Sequence, residues 1–235
     1  ACAQILVSQW HGIQTDLAVP VTDLGNGVRC YATVSLVAAR VNINRVDPAT
    51  LRRIVGSDSL LDALLDWQDS DDAPRRGGAE AAWYRAERRR SPRNGPLVSV
   101  EELGLIRGCD SLILSRLRTL LTTDGDGTVD LNAASLPVLA ALPGMSSGAL
   151  AEIAHRRALG RRIQGLDDLA DALDPATRRT LMASYQALEQ QTATASEEIL
   201  AVITGVIDGT RIQSSLELSL VPAGTRIAVV RRRAQ

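Results

Sequence analysis

Phenylalanine and lysine are both missing from this 235-residue chain; all 26 basic residues are arginine, and aromatic residues make up 3%. Absences this general point to a coding bias toward G and C, not to a selected chemistry. Histidine occurs only at His11 and His155, and no GxSxG elbow, HExxH pair, P-loop or GxGxxG fingerprint is present. The common hydrolase, zinc-protease and nucleotide-binding frameworks are therefore excluded. Cys2, Cys30 and Cys109 never form a CxxC pair, which argues against a zinc site or a thioredoxin-like motif. Three thiols allow one disulfide and one spare, which leaves the redox compartment open. With a formal net charge of −1 and a pI of 6.2, no overall positive field draws the protein onto nucleic acid or an anionic membrane. The longest apolar runs, such as Ile199–Ile207, fall well short of the ~20 residues that cross a bilayer as a helix. The sequence starts at Ala1 without Met and without a signal-peptide pattern, so the expectation is a natural beginning that has been cut away.

What is present is 45% apolar residues, enough for a substantial core in one large or two modest domains. The two ends carry strand patterns and the middle carries helical ones. Ala1–Trp10 suits the last turns of a longer helix, followed by Pro20 and turn residues Asp23, Gly25, Asn26 and Gly27. Val28–Val37 is β-branched and partly alternating, and after residue 198 ILAVITGVI, RIQSSLELSLV and RIAVVRRR follow as three more strands joined by short turns. In SLELSL, Leu216, Leu218 and Leu220 alternate with Glu217 and Ser219, which predicts one solvated sheet face. From Val41 to about Gln191 the apolar spacing is helical. The expected class is α+β: an antiparallel sheet from 1–40 and 194–235, with a helical domain inserted over 41–193.

The inserted stretch repeats itself. A shift of 88 residues lays VNIN at Val41 over VDLN at Val129, Leu51 over Leu139, Ile54 over Leu142 and Gly56 over Gly144. A shift of 66 then lays SVEEL at Ser99 over GLDDL at Gly165, so the first copy carries about 22 extra residues, the difference between the two shifts. Each copy, about 41–110 and 129–175, has the order strand-like N-x-N, helix, glycine hairpin, helix, loop and short acidic-capped helix, which resembles a helix-hairpin-helix unit. DNA-binding hairpins of that kind aim backbone N–H groups at a phosphate. Here Ser146 replaces the usual second glycine and Asp58 puts negative charge at the docking point of the first copy. The arginine clusters Arg88–Arg90 and Arg231–Arg233 lie outside both hairpins.

The extra residues fall in DWQDSDDAPRRGGAEAAWYRAERRRSPRNGP, from Asp66 to Pro96. Asp66, Asp69, Asp71 and Asp72 lie within seven positions, and Glu80 follows beyond Pro74, Gly77 and Gly78. This spacing cannot all belong to one helix face; it suits a loop that folds back and gathers oxygen ligands, as calcium requires. Without a metal the carboxylates would repel one another, or pair with Arg75 and Arg76. A weaker candidate, Asp124-Gly125-Asp126-Gly127-Thr128 with Asp130, fails as an EF-hand because position 6 is Val129 and position 12 is Ser135. No Lys or His stands beside the acid cluster as an obvious proton carrier, so metal-dependent phosphodiester chemistry finds little support.

The succession VNIN, ALLDWQDSDDAPRRGGAEAAWY, RNGPLVSVEELGLIRG and VDLNAASLPVLAALPGM resembles the type II secretion minor pseudopilin K family over roughly residues 28–173. The resemblance implies a pilin-like core, with a long N-terminal helix on an antiparallel sheet and a large helical domain inserted into that sheet. It implies a structural subunit, not an enzyme, at the pseudopilus tip with minor pseudopilins of the I and J types, helping to initiate the filament that exports folded proteins. It also implies a periplasmic domain anchored in the inner membrane by an N-terminal helix lacking here. Further implications are possible contact with secreted proteins, no nucleic-acid partner, and calcium on Asp69, Asp71, Asp72 and Glu80, with Asp66 the less certain fifth ligand. Trp83 and Tyr84 stand where the family often has tyrosines. The alternative is a helix-hairpin-helix DNA receptor of the competence type.

Overall fold

The computed structural model describes residues 17–23, 25, 27–210, 213–223 and 226–234. The helix end expected at Ala1–Trp10 lies outside them. Strands β1 (Leu17–Asp23), β2 (Val28–Leu36) and β3 (Val41–Asn42) lead to helices α1 (Pro48–Val55), α2 (Asp58–Gln68) and α3 (Ala81–Ala86). A 3-10 segment over Val100–Leu105, α4 (Ser111–Arg118), β4 (Leu121–Thr122), β5 (Val129–Asp130), α5 (Leu136–Ala141) and α6 (Ser147–Ala158) follow. Then come α7 (Leu166–Asp171), α8 (Pro175–Met182), α9 (Tyr185–Gln191), β6 (Thr192–Ala193), β7 (Ile199–Ile207), β8 (Gln213–Ala223) and β9 (Arg226–Ala234). The architecture is α+β, and the chain divides into two compact units, 1–39 with 195–235, and 40–194.

The first unit holds an antiparallel sheet in the order β1-β2-β7-β8-β9. Along β2, Cys30, Ala32 and Val34 are buried while Arg29, Tyr31 and Thr33 are exposed, the period of two expected where one face meets a core. The sequence pattern predicts no strand before Val28, whereas Pro20 falls inside β1. Proline is tolerated there because β1 is an edge strand whose pairing with β2 is irregular between Val19 and Thr22. On β8, Leu218 and Leu220 are buried, but so is Ser219, whose hydroxyl donates to the Glu198 carboxylate. Glu217 pairs across the ladder with Arg233, at 3.3 Å. Cys30 is disulfide-bonded, and Cys109, in the other unit, is a buried free thiol.

In the second unit the helix boundaries follow from capping. Asp47 accepts from Ala49 N (2.9 Å) and Thr50 N (3.0 Å) with Pro48 at the first helical position of α1. Gly56, at φ 73°, ends α1 in the left-handed conformation, and Ser57 then caps α2 through Leu60 N. Leu60, Leu61, Leu64 and Trp67 recur at helical spacing and are all buried. In the second copy, Gly144 (φ 72°) turns the chain between α5 and α6, and Ser146 caps α6 through Ala149 N.

Equivalent positions in the two copies make equivalent bonds. Asn44 exchanges two hydrogen bonds with the Leu97 backbone, both 2.9 Å. Asn132, 88 residues on, does the same with Ile163, which is 66 residues on from Leu97, at 2.9 and 2.8 Å. Likewise the Glu102 carboxylate accepts from Val98 N (3.4 Å) and Asp168 accepts from Gln164 N (2.9 Å), positions again 66 apart. The strand that opens each copy forms a short parallel ladder with a strand beyond that copy's end, β3 with β4 and β5 with β6. Helices α1 and α5 pack against one another, with the Arg53 guanidinium donating to the Ala141 carbonyl. Leu51, Leu64, Leu117, Leu139 and Ile153 belong to one continuous core.

Candidate metal centre

Helix α2 presents Asp62 and Asp66 one turn apart, and Asp69 follows at its C-cap. This spacing of four and then three places the carboxylates along one face. The chain then doubles back over that face. Gly77 N donates to Asp62 Oδ2 (3.0 Å), and Arg75 N donates to Asp66 Oδ2 (3.1 Å). The two glycines are there because the strap touches the helix. A Cβ on Gly78 would sit 1.9 Å from Asp66 Oδ2, and one on Gly77 would sit 2.8 Å from Ser59 Cα. The strap ends at Glu80, the N-cap residue of α3, which makes no side-chain capping bond.

Asp66, Asp69 and Glu80 therefore converge: each contributes an oxygen, and these oxygens lie within 4.8 Å of one another. Asp66 is fully buried and Glu80 is 4% exposed. The Arg75 guanidinium donates to Asp66 Oδ1 (2.6 Å) and Asp69 Oδ2 (2.5 Å). Both oxygens of Glu80 and Oδ1 of Asp69 are buried without a hydrogen-bond partner. Unpaired buried carboxylate oxygens are costly. Burial, and then the negative charges of Asp66, Asp69, Asp72 and Asp71, push the Glu80 carboxyl up to about 7. Asp66 and Asp69 also stand at the C-terminal end of α2, where the helix dipole disfavours anions and no basic residue lies in the last turn. An all-oxygen donor set with orphaned, buried oxygens fits a hard divalent cation such as calcium, which takes six to eight oxygens.

Of the five residues singled out from the sequence, the fold brings together Asp66, Asp69 and Glu80. Asp71 and Asp72 are exposed, and Asp71 Oδ1 accepts from Ala73 N at 2.9 Å, an ordinary turn bond. Asp62, which sequence reasoning missed, anchors the strap; the Asp62, Asp66, Asp69 spacing was the available signal. The centre is backed by aromatic packing. Tyr84 is fully buried, edge-on to Trp67 (5.2 Å) and Trp83 (4.9 Å), and its hydroxyl accepts from Arg107 N at 3.0 Å. Arg107 also donates to the Gly78 carbonyl (2.8 Å) and lies over the Trp83 ring.

The other candidates have structural uses. Asp126 accepts from Thr128 N and Thr128 Oγ1, and Asp130 accepts from Asn132 N, so this loop spends those carboxylates on its own turns. The second hairpin is occupied by its own unit. A Cβ on Gly144 would meet Ser184 Cβ at 2.8 Å, and one on Gly148 would meet Thr177 Oγ1 at 2.6 Å. Its small residues admit neighbouring protein where DNA-binding hairpins admit a phosphate backbone.

Residues 49–123, which include the whole carboxylate cluster, match the family model described as type II secretion system (T2SS), protein K. No curated protein matches significantly. Among solved structures, a chain of the GspK-GspI-GspJ complex from the enterotoxigenic Escherichia coli type 2 secretion system shares the fold, with a TM-score of 0.67 and 15% identity, over 92% of this chain and 83% of that one. The protein K match thus lies inside the second unit, and the fold of the GspK-containing complex's chain is shared over nearly the whole length of this one.

Proposed function

We propose that this protein is a minor pseudopilin, a non-catalytic assembly subunit at the tip of the type II secretion pseudopilus, where it helps to initiate the filament that exports folded proteins. The observation that carries this reading is the protein K match over residues 49–123 within a chain of matching fold. The similar solved protein is part of a complex with GspI and GspJ, and we assign I- and J-type minor pseudopilins as partners here. The antiparallel sheet belongs to a pilin-like core, and the two bonded copies built around Asn44 and Asn132 are helix-hairpin-helix-like units used for packing. Gly144 and Gly148, closed off by Ser184 and Thr177, disfavour the DNA-receptor alternative.

No helix among the described residues is long and apolar enough to cross a membrane. The disulfide at Cys30 suits an oxidising compartment such as the periplasm, and an inner-membrane anchor N-terminal to the described residues completes the assignment. Calcium is the resident ion of the carboxylate centre. Asp66, Asp69 and Glu80 would hold it, with Asp71 and Asp72 on the same loop as further oxygen donors. The ion would neutralise the carboxylates and stabilise the strap by binding the folded state alone.

The test is secretion. Cells lacking this chain are expected to retain folded exoproteins in the periplasm, and the wild-type chain to restore export. Normal export without it would refute the assignment.

A further inference from the structure

The carboxylate centre already contains a cation of its own. Arg75 Nη1 bridges Asp66 Oδ1 (2.6 Å) and Asp69 Oδ2 (2.5 Å), while Glu80, 4% exposed and part of the same cluster, keeps both oxygens unpartnered. One guanidinium thus serves two carboxylates and leaves the third orphaned. A divalent cation at the same point would serve all three.

We propose that Arg75 is a built-in competitor for the divalent cation, so that this one side chain sets the affinity of the centre and holds the strap when calcium is scarce. This rests on the calcium reading above. Two cations cannot share these oxygens cheaply, because they repel one another and each draws on the same negative charge. Arg75 is placed to yield. Its side chain is 39% exposed, so its guanidinium can withdraw to water, while its backbone N–H stays on Asp66 and keeps the strap in register. The neighbouring Arg76 is exposed and outside the bridge, so proximity in sequence does not confer the role.

The experiment is calorimetric titration of calcium chloride into the chelator-stripped chain, with melting curves in chelator and in calcium. Arg75→Gln is expected to bind calcium about tenfold more tightly than wild type, and to melt lower in chelator, because the latch and the competitor are one group. Arg76→Gln is expected to change affinity less than about twofold. Arg75→Lys, which keeps the charge without the fork, is expected to fall between wild type and Arg75→Gln. Equal or weaker binding by Arg75→Gln, or an equal gain from Arg76→Gln, overturns the competition. Absence of any calcium heat or melting shift in wild type overturns the calcium reading instead, so the two failures are distinguishable.

Discussion

Replacing Glu80 with glutamine gives a sign-reversing test of the centre. The Glu80 carboxyl is raised from its ordinary 4.5 to about 7, first by burial and then by its carboxylate neighbours. The folded chain therefore holds this proton more tightly than the unfolded chain, and the group's contribution to stability falls as pH climbs from about 4.5 to about 7, then levels off. At 1.36 kcal/mol per tenfold change in proton affinity, ionised Glu80 costs the folded protein about 3 kcal/mol at pH 8 without calcium. Glu80→Gln removes that charge and keeps the shape. In chelator at pH 8 the variant is expected to melt ~6–12 °C above wild type, at ~2–4 °C per kcal/mol for a domain of this size. In calcium the order reverses, since the wild type gains the metal and the amide is a poor ligand. Thermal melts followed by circular dichroism, from pH 5 to 8 with and without calcium, read both effects, and the difference between the two proteins isolates Glu80. A chelated variant less stable than wild type at pH 8, or a difference that shrinks as pH rises from 5 to 7, would refute the reasoning.

Other outcomes follow from the same geometry. Gly78→Ala places a methyl 1.9 Å from Asp66 Oδ2 and should cost about 3 kcal/mol or more in denaturant unfolding, because the fully buried Asp66 carboxylate, held by Arg75, has to move; a loss under ~0.5 kcal/mol would contradict the close strap. Asn44→Ala and Asn132→Ala each strand a backbone N–H and C=O pair and should cost about 2–4 kcal/mol apiece; markedly unequal losses would show that the two copies are not equivalent. In a gel shift at ~100 mM salt, no complex with duplex DNA is expected, and tight, salt-sensitive binding would revive the receptor alternative.

The legible parts of the sequence were those with a strong local period. β2, β7 and β8 carry alternating or β-branched runs, and α2 and α6 carry helical spacing with caps. β1 was missed because Pro20 is a turn signal, and only the sheet shows that the strand is an edge. The two parallel ladders, two residues per strand, are too short to leave a period. In the acidic insertion, composition identified the carboxylates but could not separate Asp66, inside a helix, from Asp71 and Asp72, on an exposed turn. That separation is set by where α2 stops and by the glycine strap laid across it. Asn44 and Asn132 were within reach, since the two shifts already aligned them with each other and Leu97 with Ile163. What the shifts could not supply was that an asparagine amide would pair with that backbone.

The central claim, a tip subunit of the pseudopilus, is tested most directly by mixing this chain with the periplasmic parts of the I- and J-type minor pseudopilins from the same bacterium, followed by size exclusion with light scattering. The account predicts a single species containing one copy of each. Three separate peaks at concentrations of about 10 μM, well above the Kd of a specific assembly, would contradict it.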